Sequence, residues 1–144
     1  MIVIDANLLL YAYSEQAPQH AASRAWLEGV FSSGEEIGIP VQGILTFIRV
    51  STNAKLPGYR SPLGLALDTV DTWLSQPSVR ILAPGPAYWQ IFRRISLQAD
   101  AAGNLSSDAH FAALAIEYDA VLYTADADFA RFPGLRWKNP LAKS

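Results

Sequence analysis

Short runs of β-branched apolar residues alternate along this chain with longer stretches in which apolar residues recur every three or four positions. Met1 to Ile4 is wholly apolar, the pattern of a strand buried on both faces of a parallel sheet. Glu36–Ile39, Val79–Leu82 and Val121–Tyr123 repeat it, and Leu135–Trp137 reads as a last edge strand. Between them the spacing predicts helices. Pro18–Phe31 places Ala22, Ala25, Trp26 and Gly29 on one stripe. Pro40 starts a second helix, with Val41, Ile44, Leu45 and Ile48 towards the core. Lys55–Arg60 holds Pro57 and Gly58 and reads as a loop. Ser61-Pro62 then caps a helix with Leu63, Leu67, Val70 and Leu74 inward. Gly85-Pro86 opens another, with Tyr88, Phe92, Ile95 and Ala99 inward. After the break at Ala102-Gly103-Asn104, Ser106 or Ser107 caps an alanine-rich helix over about 108–118. Asp126–Phe132 is a short helical turn ended by Pro133-Gly134. Strands alternating with helices make an α/β domain, a parallel sheet flanked by helices, and one domain is expected over residues 1–144.

Composition narrows the function. Of 144 residues, 51% are apolar and 17% charged, enough for a sizeable core and against disorder. The net charge of −2 disfavours a protein that coats nucleic acid by charge alone. The absence of cysteine removes disulfides, zinc thiolates and thiol catalysis. No leader segment is visible, and no apolar run approaches the ~20 residues of a membrane span. A soluble cytoplasmic protein is expected.

The carboxylates carry the chemistry. Sites in open α/β sheets form beyond the carboxyl ends of the strands. Asp5 directly follows the first strand, Asp126 lies just past the fourth, and Asp108 sits in the first turn of the alanine-rich helix. This topology brings three distant acids towards one sheet edge. Such a cluster is costly without a cation, and hard cations such as Mg²⁺ or Mn²⁺ take oxygen ligands. The chemistry that fits is metal-assisted phosphodiester hydrolysis, with a metal-activated water as nucleophile. Each acid also has an ordinary reading: Asp5 as a helix cap, Asp108 as a favourable charge at a helix start, Asp126 and Asp128 as turn residues.

At this point the residues resemble a known family. Ile2-Val-Ile-Asp5-Ala-Asn7, Asp108-Ala-His110-Phe-Ala-Ala-Leu-Ala and Thr124-Ala-Asp126-Ala-Asp128-Phe129 are similar to motifs of PIN domains. Phe47-Ile-Arg49-Val-Ser-Thr-Asn53, Arg131-Phe-Pro-Gly-Leu-Arg-Trp137 and Asn139-Pro-Leu141 are similar to a subgroup of VapC toxins. The resemblance spans nearly the whole chain. It implies a PIN-like (Rossmann-like) three-layer α/β/α sandwich. It also implies an Mg²⁺- or Mn²⁺-dependent endoribonuclease of a toxin–antitoxin pair, dimeric and held by a VapB-type antitoxin. Carried onto this chain, Asp5, Asp108 and Asp126 are metal ligands, and Asp128 is a helper acting through water or a second metal. Asn7 and Thr124 orient a carboxylate or water.

Many PIN domains carry a glutamate where this chain has Thr46, on a stripe with Arg49 and Asn53. A hydroxyl is a poorer Mg²⁺ ligand, so weaker metal binding, or a ligand from Asp128, is expected. Arg49 is a candidate contact to RNA phosphate or to a site carboxylate. His110 is read as structural or as a phosphate neighbour. Arg93-Arg94 and Lys55 with Arg60 are too sparse to map an RNA path. The four tryptophans are read as core or dimer interface. The alternatives are a non-cutting PIN fold that binds RNA or protein, a haloacid-dehalogenase-type phosphatase and a receiver domain. Asn7 stands where that phosphatase needs an acid, and neither of the last two finds its lysine.

Overall fold

A computed structural model describes residues 1–56 and 60–142; positions 57–59, within the expected Pro57-Gly58 loop, lie outside the described residues. The described strands form one all-parallel sheet in the order β3-β2-β1-β4-β5. They are β1 (Ile2–Ile4), β2 (Ile37–Pro40), β3 (Val79–Leu82), β4 (Val121–Tyr123) and β5 (Trp137–Lys138). The helices are α1 (Ala6–Ala12), α2 (His20–Phe31), α3 (Val41–Ser51), α4 (Leu63–Leu74), α5 (Tyr88–Ala99) and α6 (Leu105–Glu117). A 3₁₀ turn, Ala127–Arg131, follows β4.

The three layers follow from strand alternation. Successive side chains of β1 point to opposite faces of the sheet. Ile2 and Ile4 enter a core with α1 to α4, and Val3 enters the other, against α5 and α6. A strand covered on both sides has no wet face, which is why β1 is apolar throughout. In the first core Trp73 is fully buried, and its Nε1 donates to the Tyr13 hydroxyl at 2.9 Å. Phe47 packs edge-on to that indole with ring centroids 4.6 Å apart. One indole thereby joins α1, α3 and α4. In the second core, the alanines of α6 let that helix lie close to the sheet: Ala109, Ala112, Ala113 and Ala115 are all fully buried.

The expected elements are present, with differences in which faces they bury. On α2 the buried positions are Ser23, Leu27 and Val30, while Ala22, Ala25 and Gly29 are exposed and Trp26 is half-buried. Small side chains have little area to hide, so the bulkier Leu27 and Val30 decide the rotation. On α4, Ala66, Val70 and Trp73 face inward, and Leu63 and Leu67 stand in solvent. A helix with leucine on every side has no unique stripe, and the large indole wins. On α3, Ile44 and Phe47 are buried but Val41 and Leu45 are exposed. Helix α6 starts at Leu105 after Asn104, so Ser106 and Ser107 lie inside its first turn and do not cap it. Helix α1, short and almost wholly apolar, carries no start signal beyond Asp5. The expected core strip on α5 narrows to Ile95, with Tyr88, Phe92 and Ala99 half-buried. No helix among the described residues is long and apolar enough to cross a membrane.

Gly38 lies close against the neighbouring strand. A Cβ there would run into the Leu82 side chain on the neighbouring strand. Leu82 is only 1% exposed and has nowhere to swing. Gly38→Ala is therefore expected to lower unfolding stability by about 1–3 kcal/mol through overpacking. Combined with Leu82→Ala, it should cost less than the sum of the single changes in a denaturant double-mutant cycle.

Candidate active site

The site is built where β1 and β4 end. Asp5 is the first residue after β1, and its N–H donates to the Tyr123 carbonyl at 3.0 Å, extending the ladder by one rung. The next residue on β4's side is Thr124, which is fully buried. Its hydroxyl donates to Asp5 Oδ2 at 2.7 Å and accepts the Asp126 N–H at 3.0 Å. One small side chain thus ties the first acid to the backbone of the third. Asp126 then starts the 3₁₀ turn, and its Oδ1 accepts the Asp128 N–H at 2.8 Å. Asp126 is therefore both a turn-former and a site acid, since Oδ2 stays outside that bond. Asp5 does not cap α1 with its side chain. Its carboxylate accepts the Thr124 hydroxyl, and the Ala6 and Asn7 amides at the helix start also favour its charge.

Asp108 comes from α6, in its first turn. Its pKa is pushed up to about 6. Burial is the main cause, and the charges of Asp126, Asp5 and Asp128 add to it, with Arg131 opposing. Asp108 thus feels the charge of three other carboxylates. Asp5, 6% exposed, is also raised, chiefly by burial; the Thr124 hydroxyl and the Ala6 and Asn7 amides partly offset this, and the Asp126 charge adds to it. Repulsion of this kind is what a cation relieves.

The donor set is all carboxylate oxygen, which suits a hard divalent cation and excludes a thiolate or imidazole site. Among the described residues no three acidic or histidine side chains are drawn tightly enough together to cage a metal directly. Mg²⁺ does not require a cage: it is commonly taken by one or two carboxylates with waters completing the octahedron. The acids and the ion type are compatible on that basis.

The remaining expected residues divide. Asn7 is exposed on α1, where its backbone N–H, not its side chain, supports the Asp5 carboxylate, and Thr46 is half-buried on α3. Arg49 is exposed and forms no ion pair with a site carboxylate among the described residues. The arginine whose charge reaches Asp108 is Arg131 instead. Sequence reasoning gave Arg131 no role; the usable signal was its place on the same short turn as Asp128. His110 lies two residues from Asp108, which turns it towards another face of α6. Tyr88 Oη lies 2.6 Å from His110 Nδ1, and burial holds the imidazole pKa below its ordinary value. His110 therefore joins α6 to α5. Of the tryptophans, Trp73 is core, Trp26 stacks on Tyr123 at 5.3 Å, Trp137 is half-buried, and Trp89 is 64% exposed.

The sequence pattern of the PIN domain matches residues 2–135. The ribonuclease VapC33 of Mycobacterium tuberculosis is 38% identical over 141 residues, covering 98% of this chain and 99% of that one. This chain is a PIN domain of the VapC ribonuclease family. Ribonuclease VapC37 of the same organism is 36% identical, covering 99% of both chains. Solved structures share the fold at lower identity. The VapBC2 complex of Rickettsia felis, bound to a promoter DNA fragment, aligns with a TM-score of 0.73 at 19% identity, covering 96% of this chain and 98% of that one. VapBC-1 of nontypeable Haemophilus influenzae aligns with a TM-score of 0.72 at 17% identity, covering 99% of this PIN domain and all of that chain.

Because the folded Asp108 pKa lies near 6, above the ordinary 3.8, the native PIN domain holds this proton more tightly than the unfolded chain. The contribution favours folding at acid pH and is lost as pH rises from about 4 to about 6. In metal-free buffer Asp108→Asn is expected to raise the urea midpoint relative to wild type at pH 7. At pH 4 the two midpoints should converge.

Proposed function

We propose that this PIN domain is the endoribonuclease toxin of a toxin–antitoxin pair and that it hydrolyses RNA with a bound Mg²⁺ or Mn²⁺ ion. The observation that carries the reading is the convergence of Asp5, Asp108, Asp126 and Asp128 at one sheet edge, where burial and the other three acids lift the Asp108 pKa, in a chain of the VapC ribonuclease family. Asp5, Asp108 and Asp126 would hold the ion between them, one or two directly and the rest through its waters. Asp128, exposed beside Asp126, would act through water in the place of the acid that α3 does not supply at Thr46. When bound, the ion supplies an acidified water and a counter-charge for the phosphodiester. The chain's own residues position the reaction. Thr124 fixes the Asp5 carboxylate through its hydroxyl and holds the Asp126 backbone, so both acids present a set geometry. Asn7, at the exposed mouth of α1, would orient water or strand, and Arg49 would lie along the path of the RNA backbone.

A VapB-type antitoxin is the expected protein partner, and the resemblance to chains solved as VapBC complexes supports it. Val41, Leu45, Leu63, Leu65 and Leu67 stand 40–58% exposed on α3 and α4. Apolar area of that kind supports covering by the antitoxin or by a second copy in a homodimer. The non-cutting alternative gains nothing from the site, since unneutralised clustered acids destabilise a fold without return.

Purified chain free of antitoxin, incubated with total RNA and Mn²⁺, is expected to give discrete fragments. EDTA should abolish them, and Asp108→Asn should reduce them at least ~100-fold, in the range seen when a charge-stabilising catalytic group is removed. Equal and intact RNA in wild type and variant would favour a binding PIN fold. Cutting that ignores both EDTA and the variant would place the nuclease elsewhere.

A further inference from the structure

Asp128 and Arg131 lie three residues apart on the 3₁₀ turn Ala127–Arg131. Such a helix has three residues per turn, so side chains at this spacing eclipse one another on one side. The charges of both reach Asp108, the first raising and the second lowering its pKa. Both are exposed, while Phe129 between them is buried against Phe132 and anchors the turn. The turn is also pinned at its start by the Asp126 carboxylate. Arg24, Arg80 and Arg136 each pair with a carboxylate. Among the described residues the Arg131 side chain makes no ion pair and no hydrogen bond. An exposed arginine on the same short turn as Asp126 and Asp128, locked to no acid, keeps its forked donors open to an oxyanion.

We propose that Arg131 is a substrate-binding residue that takes a phosphate oxygen of the RNA strand beside the Asp5–Asp108–Asp126 cluster. The assignment rests on the ribonuclease reading above. A phosphate arriving at four carboxylates meets repulsion, and a forked cation on the same edge gives it one attractive contact with fixed direction. Had Arg131 served only to offset the acids, it would compete with a divalent cation and contribute nothing to RNA. The two roles move two affinities differently. Removing the arginine strengthens or leaves unchanged the binding of a cation, because a nearby positive charge is lost. Removing a phosphate contact weakens RNA binding and flattens its salt dependence.

The test compares wild type, Arg131→Gln and Arg131→Lys after thermal melts show all three folded. Mn²⁺ affinity is measured by calorimetry without RNA. Affinity for fluorescently labelled single-stranded RNA of mixed sequence is measured by anisotropy across a salt series, in Ca²⁺ in place of Mn²⁺. The expected result for Arg131→Gln is RNA binding weakened about tenfold, as for loss of a charge-assisted hydrogen bond. Its slope of log affinity on log salt should fall by about 0.7, and Mn²⁺ should bind as tightly or more tightly. Lysine should restore the slope and part of the affinity. RNA affinity and slope unchanged in Arg131→Gln overturn the proposal and leave the ribonuclease reading intact. So does a parallel loss of Mn²⁺ and RNA binding, which marks a structural role. A wild type that neither binds nor cuts RNA removes the ribonuclease reading and the proposal together.

Discussion

The hydroxyl of Thr124 holds the site together. It is buried at the end of β4, gives its proton to Asp5 Oδ2 at 2.7 Å and accepts the Asp126 amide at 3.0 Å. One hydroxyl thus joins the carboxylate of Asp5 to the backbone of Asp126, 121 positions away in the chain. Without it Asp5 would be a buried acid with its main side-chain partner gone, and Asp126 would lose the contact that sets where its turn begins. Threonine suits the position because its stiff χ1 and its donor-plus-acceptor hydroxyl do both jobs in little space.

That bridge exists only because β1 and β4 are parallel neighbours at the centre of the sheet. Parallel pairing puts both carboxyl ends on one edge, so Asp5 and Thr124 meet there without any long-range signal in the sequence. The α6 helix then crosses behind on its buried alanines and delivers Asp108 from its first turn. The start of a helix already favours a negative charge, yet burial and the neighbouring acids outweigh this and raise Asp108 to about 6. The fold therefore assembles charges that oppose one another. The two cores on either side of the sheet supply the stability against which that opposition is held.

Much of this was readable in the chain. The four longer strands, the alternation that predicts a parallel sheet, and the placement of Asp5, Asp108 and Asp126 after strands or at a helix start all follow from local pattern and topology. Helix faces were less legible. On α2, α3 and α4 apolar residues occur on more than one side, and only tertiary packing, above all around Trp73, decides which are hidden. Arg131 was missed for a related reason. A lone arginine in a turn carries no periodic signal, and its proximity to Asp108 depends on where the 3₁₀ turn lands. Both Arg49 and Arg131 fall within VapC-like motifs, so motif membership did not separate them; Arg49 is exposed on a helix surface and pairs with no site acid among the described residues.

The central claim is that the repulsion at this edge is relieved by a divalent cation. Calorimetric titration of the metal-free protein with Mn²⁺, in buffers of differing ionisation heat, tests it directly. Binding at pH 6 is predicted to release a fraction of a proton, because Asp108 is partly protonated there and a ligating carboxylate must give its proton up. The release should shrink towards zero by pH 8, and Asp108→Asn should lose both the release and most of the affinity. Absence of Mn²⁺ binding, or binding of equal strength to Asp108→Asn with no proton released at pH 6, would contradict the account.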